Sequence, residues 1–193
     1  LNTLFVALCA RDDFKALDFS NLSMTVSGGM ALTSDAAQRW YNTTGVEINE
    51  GYGLTETSPV VSINTGGVGR KLGSIGVTAP GTELKVIDGE GNALPCGEKG
   101  ELCVRGPQVM QGYWQQPEKS AEVLSADGWF ATGDIAVIDE DGFPQLVDRK
   151  KDMIIVSGFN VYPNELENVI SSHDKVLECA VIGVYDERAG ERV

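Results

Sequence analysis

"WFATGDIAVIDEDGFPQLVDRKKDMIIVSGFNVYP", residues 129–163, joins two kinds of structure. Ile135-Ala136-Val137-Ile138 reads as a strand, Asp139-Glu140-Asp141-Gly142 as a tight turn, and Phe143 to Val147 as the returning strand. Five consecutive charges follow, Asp148-Arg149-Lys150-Lys151-Asp152. A solvated, charged run between two apolar segments can be mere punctuation, a ligand site or a joint between two moving bodies, and the change of pattern after it puts a domain boundary near Lys151. Beyond it, Met153 to Val156 predicts a strand and Pro163 to Ile170 a helix opened by Pro and an acidic first turn. Val176 to Val184 predicts another strand, giving a β-α-β unit.

Upstream, the texture changes near Ser62. Before it, Asn2 to Leu8 and Ser34 to Tyr41 have the apolar spacing of amphipathic helices, the second capped by Thr33 or Ser34. Leu22 to Ser27 reads as a strand ending at Gly28-Gly29, and Val46-Glu47-Ile48 as one ending at Gly51-Tyr52-Gly53. Strand, helix and strand in that order predict a parallel α/β sheet, whose ligands sit at the carboxyl ends of the strands. After Ser62, turn pairs such as Asp88-Gly89 and Gly91-Asn92 separate short runs at Leu84 to Ile87 and Glu101 to Val104. That pattern predicts an antiparallel β region continuing into the hairpin at 135–147.

Composition narrows the function. Fifteen Lys and Arg against 28 Asp and Glu leave a formal charge of −13, which repels phosphate backbones and argues against a nucleic-acid partner. Cys9, Cys96, Cys103 and Cys179 have no C-x-x-C spacing and only His173 beside them, so neither a zinc site nor a disulfide framework is indicated. A reducing cytoplasm is the expected location. No apolar run approaches the roughly 18 residues of a spanning helix. Leu1 stands where a Met would open a complete chain, and Glu191-Arg192-Val193 follows directly on an apolar run. A segment of a longer protein is therefore expected.

Four stretches carry candidate chemistry. In "SGGMAL", residues 27–32, Gly28 and Gly29 let a flat ligand approach the backbone, although a plain strand-to-helix turn also wants glycine. In "NEGYGLTETS", residues 49–58, Gly51 and Gly53 flank the ring of Tyr52, while Thr55 and Glu56 add a hydroxyl and a carboxylate suited to phosphate and Mg²⁺. A Gly-rich loop with a solvated Glu fits the same residues, and no Gly-Lys-Ser/Thr makes it a Walker loop. In Thr132-Gly133-Asp134, the carboxylate could accept both hydroxyls of a ribose with Arg149 approaching from the other side, or the two could be a turn Asp and a surface Arg. In "SGFNVYPNELE", residues 157–167, Gly158 allows close passage of a chain-like ligand, whereas Pro163 and Glu165 are helix-start residues.

Taken in order, "SGGMAL", "GYGLTET", "GYWQQPEKS", "WFATGD" and "DRKKDMIIVSGFNVYPNELE" resemble the adenylate-forming superfamily of acyl-CoA synthetases, luciferases and carrier-loading adenylation domains. Asp127 to Lys151 is similar to the signature of fatty acyl-CoA synthetases, and the whole to bacterial long-chain fatty-acyl-CoA ligases. The resemblance implies an α/β fold. Residues 1–150 would end a large AMP-binding domain, with 1–65 its α/β part and 66–150 a β-rich, barrel-like part. Residues 151–193 would begin a small mobile α+β domain.

It also implies ATP, Mg²⁺ and coenzyme A as cofactors and co-substrate, and a fatty acid as substrate. Tyr52 would stack on adenine, with Gly28 and Gly29 lining the adenine and acyl pocket and Gly51 and Gly53 shaping the loop. Thr55 would touch phosphate and Glu56 would hold Mg²⁺. Asp134 and Arg149 would bind the ribose, Lys151 would be the hinge, and Gly158 would lie beside the pantetheine arm. A phosphate loop and a catalytic Lys near the end of the small domain are implied outside these 193 residues, so this segment alone is expected to be inactive. Relatives of this kind often carry Lys where Ile155 stands. Transfer to a carrier protein, or nucleotide binding without catalysis, are the alternatives. Peripheral membrane contact is expected for a substrate that partitions into lipid, and a homodimer is left open.

Overall fold

A computed structural model describes residues 2–29, 32–64, 70–71, 73–171, 173, 175–176 and 179–193. The chain divides into two compact units, one of residues 1–84 and 104–130, the other of residues 85–103 and 131–193.

The first unit opens with helices α1 (Asn2–Cys9) and α2 (Asp12–Lys15), then β1 (Thr25–Gly28), α3 (Ser34–Thr44) and β2 (Ile48–Gly53). Strands β1 and β2 pair in parallel, Thr25 with Ile48 through Gly28 with Gly51. The α3 crossover between them is the connection a parallel pair requires. Thr33 is the cap of α3, its hydroxyl accepting from Ala36 N at 3.3 Å. Phe5, Cys9, Trp40 and Ile48 form the core between helices and sheet, with the Phe5 and Trp40 rings edge to face at 4.9 Å. The indole N–H of Trp40 donates to Thr25 Oγ1 at 3.1 Å, so this buried ring leaves no polar atom unpaired.

A 3₁₀ turn at Thr55–Thr57 leads to β3 (Val60–Asn64) and β4 (Val77–Thr78), which extend the sheet in the order β1-β2-β3-β4, antiparallel beyond β2. The turn is tight. A Cβ added to Gly53 would lie 1.9 Å from the carbonyl oxygen of Pro59, so only glycine fits there. Helix α4 (Pro117–Val123), with Pro at its start, belongs to the same unit.

Strands β5 (Glu83–Ile87), β6 (Lys99–Arg105), β7 (Phe130–Ile138) and β8 (Pro144–Arg149) form a four-stranded sheet in that order. The barrel-like expectation for residues 66–150 resolves into open sheets; among the described residues none closes on itself. The β7-β8 hairpin turns at Asp139, whose carboxylate accepts from Asp141 N at 3.0 Å and Phe143 N at 2.9 Å.

Beyond it lie β9 (Ile154–Val156), β10 (Phe159–Val161), α5 (Pro163–Ser171), β11 (Val184–Asp186) and β12 (Gly190–Arg192). Their sheet runs β10-β9-β12-β11 with antiparallel pairings. The predicted strand at 176–184 is a correction: residues 179–183 are irregular, strand begins at Val184, and 177–178 lie outside the described residues. Glu167 on α5 takes the groups a strand would use, accepting from Val181 N at 2.8 Å. The strand-helix-strand order itself stands, as β9, α5 and β11, with β12 lying between the two strands in the sheet.

A second correction concerns the charged joint. Asp148 is not solvated; it is 6% exposed and accepts from Asn164 N at 2.9 Å. It thus caps the start of α5 from the end of β8. Lys150, Lys151 and Asp152 form the exposed turn.

Gly53→Ala is expected to destabilise the full-length gene product by about 3 kcal/mol, the upper range for overpacking. Urea unfolding measures this, and an unchanged midpoint would contradict the close approach of Pro59.

Candidate active site

Each unit holds one cluster of its own. In the first, the carboxyl ends of β1 and β2 lie side by side, as a parallel pair dictates. A Cβ on Gly28 would sit 3.2 Å from the carbonyl oxygen of Gly51, so the two ends meet backbone to backbone. Gly51 itself has ordinary room, and Gly29 has φ +86°. Tyr52 is buried, at 8% exposure. Beside Gly51, the carboxylate of Glu50 accepts from Leu32 N at 3.3 Å. Burial raises its pKa above the ordinary value, against the opposing pull of that hydrogen bond and of the Arg70 charge.

Thr55 and Glu56 ride on the 3₁₀ turn that follows. Thr57, fully buried, builds it: its hydroxyl accepts from Leu54 N at 3.0 Å and faces the carbonyl of Pro59 at 2.6 Å. Thr55 is exposed and Glu56 half-buried. The carbonyl of Glu56 accepts from Met110 N at 2.8 Å, and its Oε1 accepts from the Tyr113 hydroxyl at 3.0 Å. Burial, and then that carboxylate, push the Tyr113 phenol above its usual pKa. Reading the sequence missed both Thr57 and Tyr113. The former is visible as the second Thr of "TET"; the latter lies 57 residues from its partner, beyond any local signal.

In the second unit, Asp134 on β7 stands opposite Arg149 on β8, and Arg149 Nε lies 3.8 Å from Asp134 Oδ1. The carboxylate is largely enclosed, at 14% exposure, while the guanidinium is 61% exposed. Thr132 sets the backbone before Asp134: its hydroxyl donates to Leu102 O at 2.8 Å and accepts from Asp134 N at 3.1 Å. Gly133 donates to Glu101 Oε1 at 3.1 Å, and the other oxygen of Glu101 binds Lys150 Nζ at 2.7 Å. These groups fix both ends of the Asp134–Arg149 pair. Lys151 makes no hydrogen bond or ion pair among the described residues, in the turn that follows. Gly158 closes the β9-β10 hairpin with Ser157, both at positive φ, and nothing lies within 4 Å of where its Cβ would be. Its glycine is thus called for by backbone conformation and not by crowding.

Among the described residues no three His, Cys, Asp or Glu converge as a metal cluster. Nor is any described helix long and apolar enough to cross a membrane. The exposed hydroxyl and half-buried carboxylate of the turn are groups suited to phosphate and its cation, and the Asp–Arg pair of the other unit is, by itself, suited to a hydroxyl-bearing ligand.

Sequence comparison gives this chemistry a family. Residues 1–114 match the AMP-binding enzyme family and residues 165–193 its C-terminal domain, so the chain belongs to the AMP-binding enzymes. It is 55% identical over 193 residues to a long-chain-fatty-acid–CoA ligase of Yersinia pestis and 53% identical to that of Salmonella typhimurium. In both comparisons all of this chain is covered, and it spans 34% of the relative's length. The crystal structure of ATP-bound MatB from Rhodopseudomonas palustris superposes with a TM-score of 0.88 at 36% identity, covering 98% of this chain and 38% of that one.

A pH test follows from Glu50. A carboxyl whose folded pKa is raised holds its proton in the folded state, so its contribution to stability is present below the unfolded pKa and is lost as pH rises through the folded value. Relative to Glu50→Gln, the unaltered protein should lose stability between pH 4.5 and 7. Chemical denaturation at the two pH values checks this; equal differences at both would contradict it.

Proposed function

We propose that this chain is part of an ATP-dependent long-chain fatty acid–CoA ligase. An oxygen of the fatty acid carboxylate bonds to the α-phosphorus of ATP as the bond to the bridging oxygen breaks and pyrophosphate leaves. The thiolate of coenzyme A then bonds to the acyl carbon, AMP departs, and a thioester remains. The single observation that carries the reading is the meeting of Asp134 and Arg149 across the β7-β8 pair. The names of relatives 53–55% identical along the whole chain support the choice of acid and acceptor.

In this reading Asp134 accepts the ribose hydroxyls, and the exposed Arg149 faces the same sugar. Tyr52 stacks on adenine, and Gly28 and Gly29 line the adenine and acyl pocket. Gly51 and Gly53 let the strand bend into the phosphate-facing turn, where Thr55 hydrogen-bonds phosphate. Glu56 would hold Mg²⁺. The donor set fits that ion: Glu56 Oε2 has no hydrogen bond among the described residues, Thr55 adds a hydroxyl, and Mg²⁺ is commonly held by one or two carboxylates with substrate phosphates and water. When bound, Mg²⁺ neutralises phosphate charge.

Lys151 is the swivel of the small domain. The absence of a partner for its side chain among the described residues, and its exposed turn, support that role. The bonds of Asp148 to Asn164 hold one setting of it and would part on rotation. Gly158 admits the pantetheine arm of coenzyme A. A cytoplasmic protein with peripheral contact at the inner membrane face suits an acid that partitions into lipid.

Asp134→Ala in the full-length gene product removes two charge-assisted hydrogen bonds to ribose and should weaken ATP binding by at least about tenfold. Calorimetric titration with ATP measures this, and an unchanged isotherm would sink the ribose assignment. Offered both acceptors, the protein should acylate coenzyme A rather than a carrier protein.

A further inference from the structure

Glu56 is gripped at two points by one segment of the first unit. Met110 N holds its carbonyl at 2.8 Å and the Tyr113 hydroxyl holds Oε1 at 3.0 Å. Tyr113 is seated in turn. Its N–H donates to Ser120 Oγ at 2.8 Å, and that hydroxyl donates to Gln116 O at 2.8 Å in the first turn of α4. The next residue, Trp114, is 86% exposed, so of the two adjacent rings it is Tyr113 that is committed to the turn. Glu56 Oε2 has no hydrogen bond among the described residues.

A Glu side chain has three rotatable bonds, and a cation that uses one of its oxygens must hold all three. A hydrogen bond to the other oxygen removes that freedom beforehand, as partners behind a metal-binding carboxylate do. We infer that Tyr113 is a positioning residue: its phenol occupies Oε1 of Glu56 and leaves Oε2 as the oxygen offered to the cation of the metal–nucleotide complex. The inference rests on the proposed role of Glu56. It adds α4 and the segment before it to the machinery, through Ser120 and Tyr113.

The test uses the full-length gene product, Mn²⁺ and AMPCPP, an ATP analogue whose α–β bond cannot be cleaved, with free Mn²⁺ followed by its EPR signal. Tyr113→Phe deletes one oxygen atom and should lower Mn²⁺ affinity by roughly three- to tenfold, at the lower edge of what partners behind a metal ligand contribute. Metal-free AMPCPP binding should stay unchanged. Ser120→Ala, which loosens the seat of the ring, should shift Mn²⁺ affinity the same way by less. Glu56→Gln should lower it most. Unaltered affinity in Tyr113→Phe and Ser120→Ala alongside a loss in Glu56→Gln would overturn the role of Tyr113 alone. Unaltered affinity in all three would overturn the reading of Glu56 and this inference with it. A loss of metal-free AMPCPP binding in Tyr113→Phe would mark a general structural role and also overturn it.

Discussion

The register of β8 against β7 is the constraint on which the second cluster depends. Asp134 faces Arg149 and Ile135 faces Asp148, but Ala136 faces Leu146, so one residue of β8 bulges between the two halves of the hairpin. A bulge changes which side of the strand every later residue faces. Without it, Arg149 would lose its place opposite Asp134, and Asp148 would lose the buried position from which it caps α5. One irregularity therefore serves both the Asp134–Arg149 pair and the attachment of the next helix. The pair itself adds little stability, because an ion pair with an exposed guanidinium contributes about 0–1 kcal/mol. The strand ladder holds it in place.

The first unit divides its labour in the same way. Buried groups build the turn, and the proposed ligand-binding groups are the more exposed ones. Thr57 spends its hydroxyl entirely within the turn, Gly53 lets the chain pass Pro59, and Met110 and Tyr113 grip Glu56 from behind. Thr55 is left exposed, and Glu56 Oε2 has no hydrogen bond among the described residues. A turn fixed from inside presents its groups without having to order them when a ligand arrives.

Much of this was legible from the residues. The parallel β1-α3-β2 order followed from hydrophobic spacing and from Thr33, because both reflect local propensity and capping. The β7-β8 hairpin followed from alternation and an Asp/Gly turn, and both members of the Asp134–Arg149 pair stood out as charges at strand ends. What failed to show was non-local. A bulge leaves no mark in alternation. Asp148 looked solvated among its charged neighbours because its partner Asn164 lies 16 residues on. The run at 176–184 had strand composition, yet Glu167 satisfies its backbone from the helix side. Tyr113 carried no local sign of Glu56. In each case a tertiary partner overrode a local preference.

The central claim is that these groups serve a reaction in which an acid attacks the α-phosphate of ATP. Exchange of labelled pyrophosphate into ATP by the full-length gene product, without coenzyme A, tests that step by itself. The account requires exchange that appears only when a long-chain fatty acid is added. Exchange indifferent to the acid, or none under any condition, would contradict it.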